Sequence, residues 1–264
     1  LLERIGINFR KRERHDIALC SNMDIAIIFL PAMDISLYVG QGRVDLGITG
    51  EDVVKETGQS GNVDIQLKLG FGKCKLSLAV PEKSSIKVDE LNNKSIVTSF
   101  PNLTLSYFAQ RKIKVNIKEV SGSVEIACAM GAADAITDLV ETGDTIREAG
   151  LKIIEEIFPS EAVLISRKGS EYKDLIEILA ARIQGVIYAD EYALIEYNIS
   201  RENLKNGISL TPGLKSPTIM PLEDNNWVAV KSVIKKKKVN DLMDELKKIG
   251  GCDILITSMD NCRI

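Results

Sequence analysis

The chain has 264 residues, which is long enough for two or three lobes with hydrophobic cores of their own. Its 34 basic and 37 acidic residues are interspersed and leave a net charge of −3, so a nucleic-acid partner is not expected. No apolar run approaches the ~20 residues of a membrane span, so a membrane partner is not expected either.

The cysteine and histidine content narrows the chemistry further. The five cysteines are odd in number and form no Cys-x-x-Cys pair, which predicts reduced thiols and a cytoplasmic protein. The single histidine, His15, lies among charged residues and is expected to be a solvated side chain. A hydrolase with a histidine base and a zinc site are therefore both disfavoured.

The first half of the chain alternates short apolar runs with helical segments, which predicts parallel sheets covered by helices on both faces. The predicted strands are 25–30, 44–48, 65–71, 76–80, 94–98, 117–120 and 133–138. The predicted helices are 33–40, 103–111 and 124–131. Ligands of such sheets bind beyond the carboxyl ends of the strands, and the segment after residue 138 lies at such an end.

This segment has the composition of a sugar-phosphate loop. Asp138 and Glu141 can accept hydrogen bonds from the vicinal hydroxyl groups of a ribose, and Gly143 lets the backbone approach a ligand closely. The turn 142–145 offers amide and hydroxyl donors to a phosphate, at the start of a helix expected from residue 146. Taken alone, an ordinary helix cap after a strand explains the same residues equally well.

The rest of the chain has a different pattern. The sequence predicts a strand at 161–166 and an amphipathic helix at 171–189. After them, predicted strands alternate with short helices. There the predicted strands are 192–199, 218–221, 227–234 and 253–257, and the predicted helices are 201–206 and 239–249. The order β-α-β-β-α-β is typical of a ferredoxin-like domain.

Several motifs follow one another in the order of a single enzyme family. They are Val44-Asp-Leu-Gly-Ile-Thr-Gly50, Phe71-Gly-Lys-Cys-Lys-Leu76, Ile96-Val-Thr-Ser-Phe-Pro101, Val120-Ser-Gly-Ser-Val-Glu125, the loop Asp138 to Thr145, Ala181-Arg-Ile-Gln-Gly-Val-Ile187, Pro217-Thr-Ile219, Trp227-Val-Ala-Val230 and Asp253-Ile-Leu255. With these motifs, nearly the whole chain resembles the ATP phosphoribosyltransferases. That family joins ATP to phosphoribosyl pyrophosphate in the first step of histidine biosynthesis.

The resemblance implies an α/β fold with a two-lobed, periplasmic-binding-protein-like catalytic region and a C-terminal ferredoxin-like (α+β) regulatory domain. The first lobe is expected in two pieces, 1–80 and 160–188, the second lobe at 81–159, and the regulatory domain at 190–264. Members with this domain are the long form, and the family assembles as dimers and hexamers. Family members begin with a strand and a basic Lys-Gly-Arg-Leu-type turn, which this sequence lacks, so we expect a fragment of a longer protein.

The resemblance also implies site residues. Those expected to contact phosphoribosyl pyrophosphate are Ser123, Glu125, Asp138, Glu141, Thr142, Gly143, Asp144 and Thr145. Those expected to lie near ATP are Arg14 and Cys74, of which Cys74 is expected to be a small buried residue and not a nucleophile. Those expected to bind histidine as a feedback inhibitor are Asn198, Leu214, Thr218 and Asp253. Mg²⁺ is the expected cofactor, with no ligands assigned, and a direct displacement at the anomeric carbon needs no acid or base residue.

Two other functions remain compatible with the sequence. A non-enzymatic solute-binding or sensor protein would share the two-lobed fold. An inactive regulatory paralogue would explain the missing basic turn. The acidic Thr-Gly loop favours the enzyme over the sensor.

Overall fold

The structure is a computed structural model and describes residues 1–10 and 15–263. The strands are β1 Ile17–Leu19, β2 Ala26–Ile28, β3 Leu46–Gly50, β4 Val63–Lys68, β5 Cys74–Pro81, β6 Ser95–Thr98, β7 Asn116–Glu119, β8 Ala135–Val140, β9 Leu151–Ser160, β10 Ala162–Arg167, β11 Tyr192–Ser200, β12 Thr218–Pro221, β13 Trp227–Lys235 and β14 Cys252–Ser258. The α-helices are α1 Ala32–Gly40, α2 Glu51–Glu56, α3 Pro101–Gln110, α4 Val124–Ala129, α5 Asp144–Glu148, α6 Lys173–Glu191, α7 Leu204–Leu210 and α8 Val239–Lys248. None of the helices in the described part of the chain combines the length and the apolar character that crossing a membrane requires.

The chain divides into two compact units, Leu1–Ile27 with Glu177–Ile264, and Ile28–Ile176. The larger sheet of the unit Ile28–Ile176 has the strand order β7-β6-β8-β5-β9. Both of its faces are buried, because successive residues of a strand, such as Leu78 and Ala79, join different hydrophobic clusters. Helices α4 and α5 cover one face and α3 covers the other. We call this sheet with α3, α4 and α5 the second lobe.

A smaller antiparallel sheet of the same unit, with the order β3-β10-β4, forms the first lobe together with α1 and α2. Val39 of α1 and Val54 of α2 pack with Val163 and Ile165 of the central strand. The chain passes to the second lobe between β4 and β5 and returns between β9 and β10. These two connections lie side by side, since the N–H of Ala162 donates to the carbonyl of Phe71 at 3.0 Å.

The structure corrects the expected strand directions. The alternating pattern predicts parallel sheets, but within the described sheets of this unit parallel pairing is confined to β6 with β7 and β6 with β8. β5 is antiparallel to β8 and β9, and β10 is antiparallel to β3 and β4. The pattern of apolar residues reports that a strand is buried on both faces, and it does not report the direction of the neighbouring strand.

The expected lobe boundaries also differ. Residues 1–27 and 177–188, expected in the first lobe, group with the C-terminal residues in one compact unit. β5 pairs in the sheet of the second lobe, so the chain changes sheet between Lys68 and Cys74 and not at residue 80. β9 is a strand that the sequence analysis does not predict. Its apolar pairs, at Ile153-Ile154 and Ile157-Phe158, do not alternate, because its register against β5 shifts twice.

The C-terminal part of the chain has the order β11-α7-β12-β13-α8-β14 and an antiparallel sheet with the order β12-β13-β11-β14. Burial alternates along β11 and β13, and the buried side chains, including Tyr197 and Val230, pack with Leu246 of α8. The two-lobed α/β region and the ferredoxin-like domain after it confirm the expected fold class. α7 begins at Leu204 and not at 201, because residues 201–203 form a turn in which the N–H of Asn203 donates to the carbonyl of Ser200.

Candidate active site

The acidic loop lies at the carboxyl end of β8, between that strand and α5. β8 ends at Val140, and Gly143 adopts a left-handed conformation with φ 82° directly before α5. The left-handed backbone favours glycine here, and a Cβ atom would lie 3.3 Å from Nη1 of Arg147, an exposed side chain that can move. Glu141, Thr142 and the residues 144–145 are exposed, whereas Gly143 is buried. The loop therefore presents its polar side chains to solvent around a fixed turn.

Asp144 is neutralised within the loop. The hydroxyl of Thr142 donates to Oδ2 of Asp144 at 2.5 Å, and the guanidinium of Arg147 forms an ion pair with Oδ1. The hydrogen bond from Thr142 and then the charge of Arg147 hold the pKa of Asp144 below its usual value. Asp144 thus remains ionised but does not leave an isolated negative charge where a phosphate would bind. The sequence predicts that the hydroxyl of Thr142 donates to a phosphate. In the structure this hydroxyl donates to Asp144 instead.

The sequence motifs do not point to Arg147. Its signal is the spacing Asp144 to Arg147, because residues three apart on a helix are neighbours on its surface.

Asp138 and Glu125 come from separate elements and lie close enough for their charges to interact. Asp138 is half-buried in β8, and one of its oxygens accepts the N–H of Leu139 at 2.8 Å. Burial raises the pKa of Asp138, the Leu139 hydrogen bond opposes this, and the negative charge of Glu125 adds to the increase. Ser123 precedes α4 with φ 48° and is exposed. The structure therefore brings together two carboxylates that the sequence places on different motifs.

A cleft of about 410 Å³ lies beside the loop, between the first and second lobes. Its lining residues are Glu51, Lys68, Lys73, Cys74, Lys75, Val140, Glu141, Pro159, Ser160 and Glu161. Two of the lysines are paired, Lys68 with Glu51 at 2.9 Å and Lys75 with Glu156 at 2.6 Å. The cleft thus has both signs of charge in its lining.

Cys74 lines this cleft. It is expected from the sequence to be buried, but the structure shows it half-buried. Burial is the main cause that raises the pKa of its thiol, and the negative charges of Asp52 and Glu141 raise it further. The thiol is therefore protonated at neutral pH, and a role as nucleophile is disfavoured. Arg14, the other residue expected near ATP, lies outside the described residues.

The expected histidine site is partly assembled. Asn198 of β11 donates through Nδ2 to Oδ2 of Asp253 in β14 at 2.9 Å. Thr218 lies in β12, which is separated from β11 by β13, and Leu214 is exposed in the segment before β12. The structure thus joins two of the four residues directly and leaves Thr218 on the opposite edge strand of the sheet.

The family of the chain follows from its relatives. Residues 31–185 match the family described as ATP phosphoribosyltransferase, and residues 189–261 match the HisG C-terminal domain. The ATP phosphoribosyltransferase of Yarrowia lipolytica is 46% identical over 271 residues, which cover 100% of this chain and 91% of that protein. The Saccharomyces cerevisiae protein of the same name is 42% identical over 272 residues, with coverage of 100% and 91%. The one from Rhodopirellula baltica is 40% identical over 265 residues, with coverage of 100% and 88%.

A solved structure agrees with these relatives. The ATP phosphoribosyl transferase (HisG:HisZ) complex from Thermotoga maritima matches with a TM-score of 0.59 and 27% identity, over 68% of this chain and 85% of that chain. The chain belongs to the ATP phosphoribosyltransferase family, the transferases of the first step of histidine biosynthesis, which confirms the resemblance carried by its motifs.

Proposed function

We propose that the loop after β8 holds phosphoribosyl pyrophosphate and that the neighbouring cleft admits ATP, so that the chain forms phosphoribosyl-ATP and releases pyrophosphate. One observation carries this proposal. Two carboxylates, Asp138 and Glu125, accompany a left-handed turn at Gly143 whose own acid is neutralised by Arg147. Carboxylates suit the hydroxyl donors of a ribose, and a turn whose own acid is neutralised suits its phosphate.

The two ends of the sugar phosphate meet different parts of the loop. Asp138 and Glu141 accept hydrogen bonds from the ribose hydroxyls, assisted by Glu125. The 5-phosphate is held by the backbone N–H groups of residues 143–145 and by the hydroxyl of Thr145, with Ser123 nearby as a further donor. α5 is 5 residues long, so these individual donors matter more than the dipole of the helix.

The reaction is a direct displacement. A ring nitrogen of adenine forms a bond to the anomeric carbon while the bond from that carbon to the pyrophosphate oxygen breaks, and the electron pair leaves with pyrophosphate. The chain contributes mainly by orienting the two substrates, which can lower the barrier by about 7–11 kcal/mol at best. Lys73, which forms no ion pair among the residues that the structure describes, supplies positive charge to the phosphates in the cleft.

Mg²⁺ is proposed as part of the substrate, bound to the pyrophosphate. In the described part of the chain, no group of three or more histidine, cysteine, aspartate or glutamate side chains can hold a metal ion. This fits an ion that takes most of its ligands from phosphates and water, with one or two carboxylates such as Asp138 and Glu125. When bound, the ion neutralises charge that develops on the departing pyrophosphate.

Histidine is proposed as a feedback inhibitor that binds the C-terminal domain. The match to the HisG C-terminal domain and the contact between Asn198 and Asp253 support this part. Asp253 provides a carboxylate for the amino group of histidine, and Leu214 and Thr218 are proposed to complete the site. A homo-oligomer, either a dimer or a hexamer, and a cytoplasmic location are also proposed, the latter on the basis of the five cysteines and the absence of a Cys-x-x-Cys pair.

Formation of phosphoribosyl-ATP, followed by ultraviolet absorbance with Mg²⁺ present, tests the proposal. We expect turnover that histidine suppresses and that Asp138→Ala or Glu141→Ala strongly lowers. A folded protein that binds ligands without turnover would favour the solute-binding or sensor alternative, or the inactive paralogue.

A further inference from the structure

Helix α2 of the first lobe contacts the second lobe at three residues of a single face. α2 packs on α1 and β3 within its own lobe. Asp52, Lys55 and Glu56 are spaced i, i+3 and i+4, so their side chains emerge on the same side of the helix. Asp52 is 3% exposed and Glu56 is 4% exposed, which is uncommon for carboxylates and calls for specific partners.

Glu56 caps a helix of the other lobe. Its two carboxylate oxygens accept the N–H groups of Asn102 and Leu103, each at 2.9 Å. These residues lie in the first turn of α3, whose backbone N–H groups have no partner within the helix. α3 begins with Pro101 after Phe100 and has no side-chain cap of its own at that position. The side chain of Asn102 adds a third bond, to the carbonyl of Glu56 at 2.9 Å.

The other end of α2 holds the connection between the lobes. The N–H of Asp52 donates to Oγ of Ser160 at 3.0 Å, and that hydroxyl donates to Oδ1 of Asp52 at 2.5 Å. Ser160 ends β9, where the chain returns to the first lobe, and it lines the cleft with Glu141. Between these two ends, Nζ of Lys55 lies 3.7 Å from the ring centroid of Phe158, also in β9.

We propose that Asp52 and Glu56 are positioning residues that fix the separation of the two lobes at which ATP and phosphoribosyl pyrophosphate react. This inference rests on the proposed function of the loop after β8. That loop and Glu125 lie entirely in the second lobe, so binding of phosphoribosyl pyrophosphate needs no fixed separation. The attack by ATP needs both walls of the cleft, so the contacts of α2 act on turnover and on the KM for ATP.

The decisive variant is Glu56→Gln. The amide keeps the volume of the side chain but retains a single acceptor oxygen, so one N–H group of α3 faces an NH₂ group. We expect kcat/KM for ATP to fall by about tenfold or more, because misplacing reacting groups by an ångström can cost on the order of a hundredfold. Affinity for phosphoribosyl pyrophosphate, measured by titration calorimetry without ATP, is expected to stay within about twofold, as for sites that do not interact.

Two controls distinguish an effect on the separation of the lobes from a general effect of losing a carboxylate cap or stability. Glu90→Gln makes the same chemical change at a carboxylate that caps a turn inside the second lobe, where Glu90 accepts the N–H of Lys87 at 2.8 Å. Ile96→Val lowers the stability of the second lobe at a buried site away from α2. Both controls are expected to keep the native kcat/KM for ATP at a temperature where they are folded.

Asn102→Ala guards against a Glu56→Gln protein that fails to fold. Asn102 is exposed, and its loss removes one bond between the lobes, so a smaller fall in kcat/KM for ATP is expected. The inference is overturned if Glu56→Gln and Asn102→Ala behave like the controls, or if affinity for phosphoribosyl pyrophosphate falls in parallel with turnover. A native protein that does not bind phosphoribosyl pyrophosphate would instead show that the proposed function of the loop fails.

Discussion

The loop after β8 and the expected histidine site differ in how their residues are distributed along the chain. The loop occupies consecutive positions, 138–145, on one strand and one turn, so local geometry alone brings its residues together. The four residues of the C-terminal site come from β11, β12, β14 and a connecting segment. The structure joins Asn198 to Asp253 directly and separates them from Thr218 by a whole strand. The arrangement of a contiguous motif is therefore set by its local backbone, whereas the arrangement of a scattered site is set by how the strands pair.

The two regions also balance their charges differently. In the loop, Arg147 neutralises Asp144 within one turn of helix. In the C-terminal sheet, Lys231 pairs with Glu196 at 2.6 Å, and Lys231 is also the strand neighbour of Thr218. This ion pair joins β13 to β11 at the register position of Thr218. The loop thus leaves the acids expected to bind ribose available, and the C-terminal sheet divides its expected site.

The largest expected effect belongs to Asp138→Ala in the loop. Losing a hydrogen bond to a charged group costs about 1.5–3 kcal/mol, so kcat/KM for phosphoribosyl pyrophosphate should fall roughly 10- to 150-fold. Asp134→Ala is the matched control at the other end of β8, where Asp134 accepts the N–H of Ser95 at 2.9 Å. Steady-state kinetics should show no comparable fall for Asp134→Ala, and equal losses in the two variants would remove the distinction between ligand contact and strand support.

Gly143→Ala tests whether the geometry of the loop is set locally. A left-handed conformation costs a residue with a Cβ atom about 1–2 kcal/mol, which corresponds to roughly 5- to 30-fold in a binding constant. Gly150→Ala is the control, since Gly150 also has a positive φ, 69°, and nothing lies within 4 Å of its Cβ position.

Thermal melts should show that Gly143→Ala and Gly150→Ala both lose stability. The KM for phosphoribosyl pyrophosphate should rise for Gly143→Ala alone. An unchanged KM in Gly143→Ala would mean that the turn does not hold the phosphate.

Asp253→Asn tests the C-terminal region. Asparagine tolerates the left-handed conformation at this position, where φ is 49°, so the change removes charge with little strain. The inhibition constant of histidine should rise about tenfold, as expected when a charged hydrogen bond becomes a neutral one, with kcat unchanged. Asp244→Asn, on the exposed side of α8, should leave inhibition at the native level. Native inhibition in Asp253→Asn would place the effector elsewhere.

Arg147→Ala is expected to have a smaller effect, because the ion pair with Asp144 is exposed. Such pairs contribute about 0.2–1 kcal/mol, so the KM for phosphoribosyl pyrophosphate should rise roughly 1.5- to 5-fold. Adding Asp144→Asn removes the uncompensated charge and should restore part of the loss. A double variant no better than Arg147→Ala would show that Arg147 does not act by neutralising Asp144.

Asp138→Asn should make the fold slightly more stable while it weakens activity. Burial and then the charge of Glu125 raise the pKa of Asp138 in the folded state, against the Leu139 hydrogen bond. The stability that protonated Asp138 provides is present below the unfolded pKa of about 4 and is lost as pH rises through the folded pKa. The Tm of Asp138→Asn relative to the native protein should therefore increase from acidic to neutral pH, and a difference independent of pH would contradict the assignment.

Much of the architecture follows from the sequence because local signals suffice for it. The apolar run of β8, the glycine at 143 and the β-α-β-β-α-β order of the last domain all depend on residues close in the chain. The strand directions, the sheet in which β5 pairs and the irregular strand β9 depend on pairing between distant segments. The raised pKa of Asp138 depends on Glu125, and the capping of α3 depends on Glu56 in the other lobe. The periodicity of apolar residues in the sequence does not predict such contacts.

The most direct test of the loop is a titration of phosphoribosyl pyrophosphate with Mg²⁺ into the protein without ATP or histidine. The comparison is between the native chain and a variant that carries both Asp138→Ala and Glu141→Ala. We predict saturable binding by the native chain and a loss of affinity on the order of a hundredfold in the variant, as expected when charged hydrogen bonds are removed. Equal affinities would contradict the assignment of this loop as the phosphoribosyl pyrophosphate site.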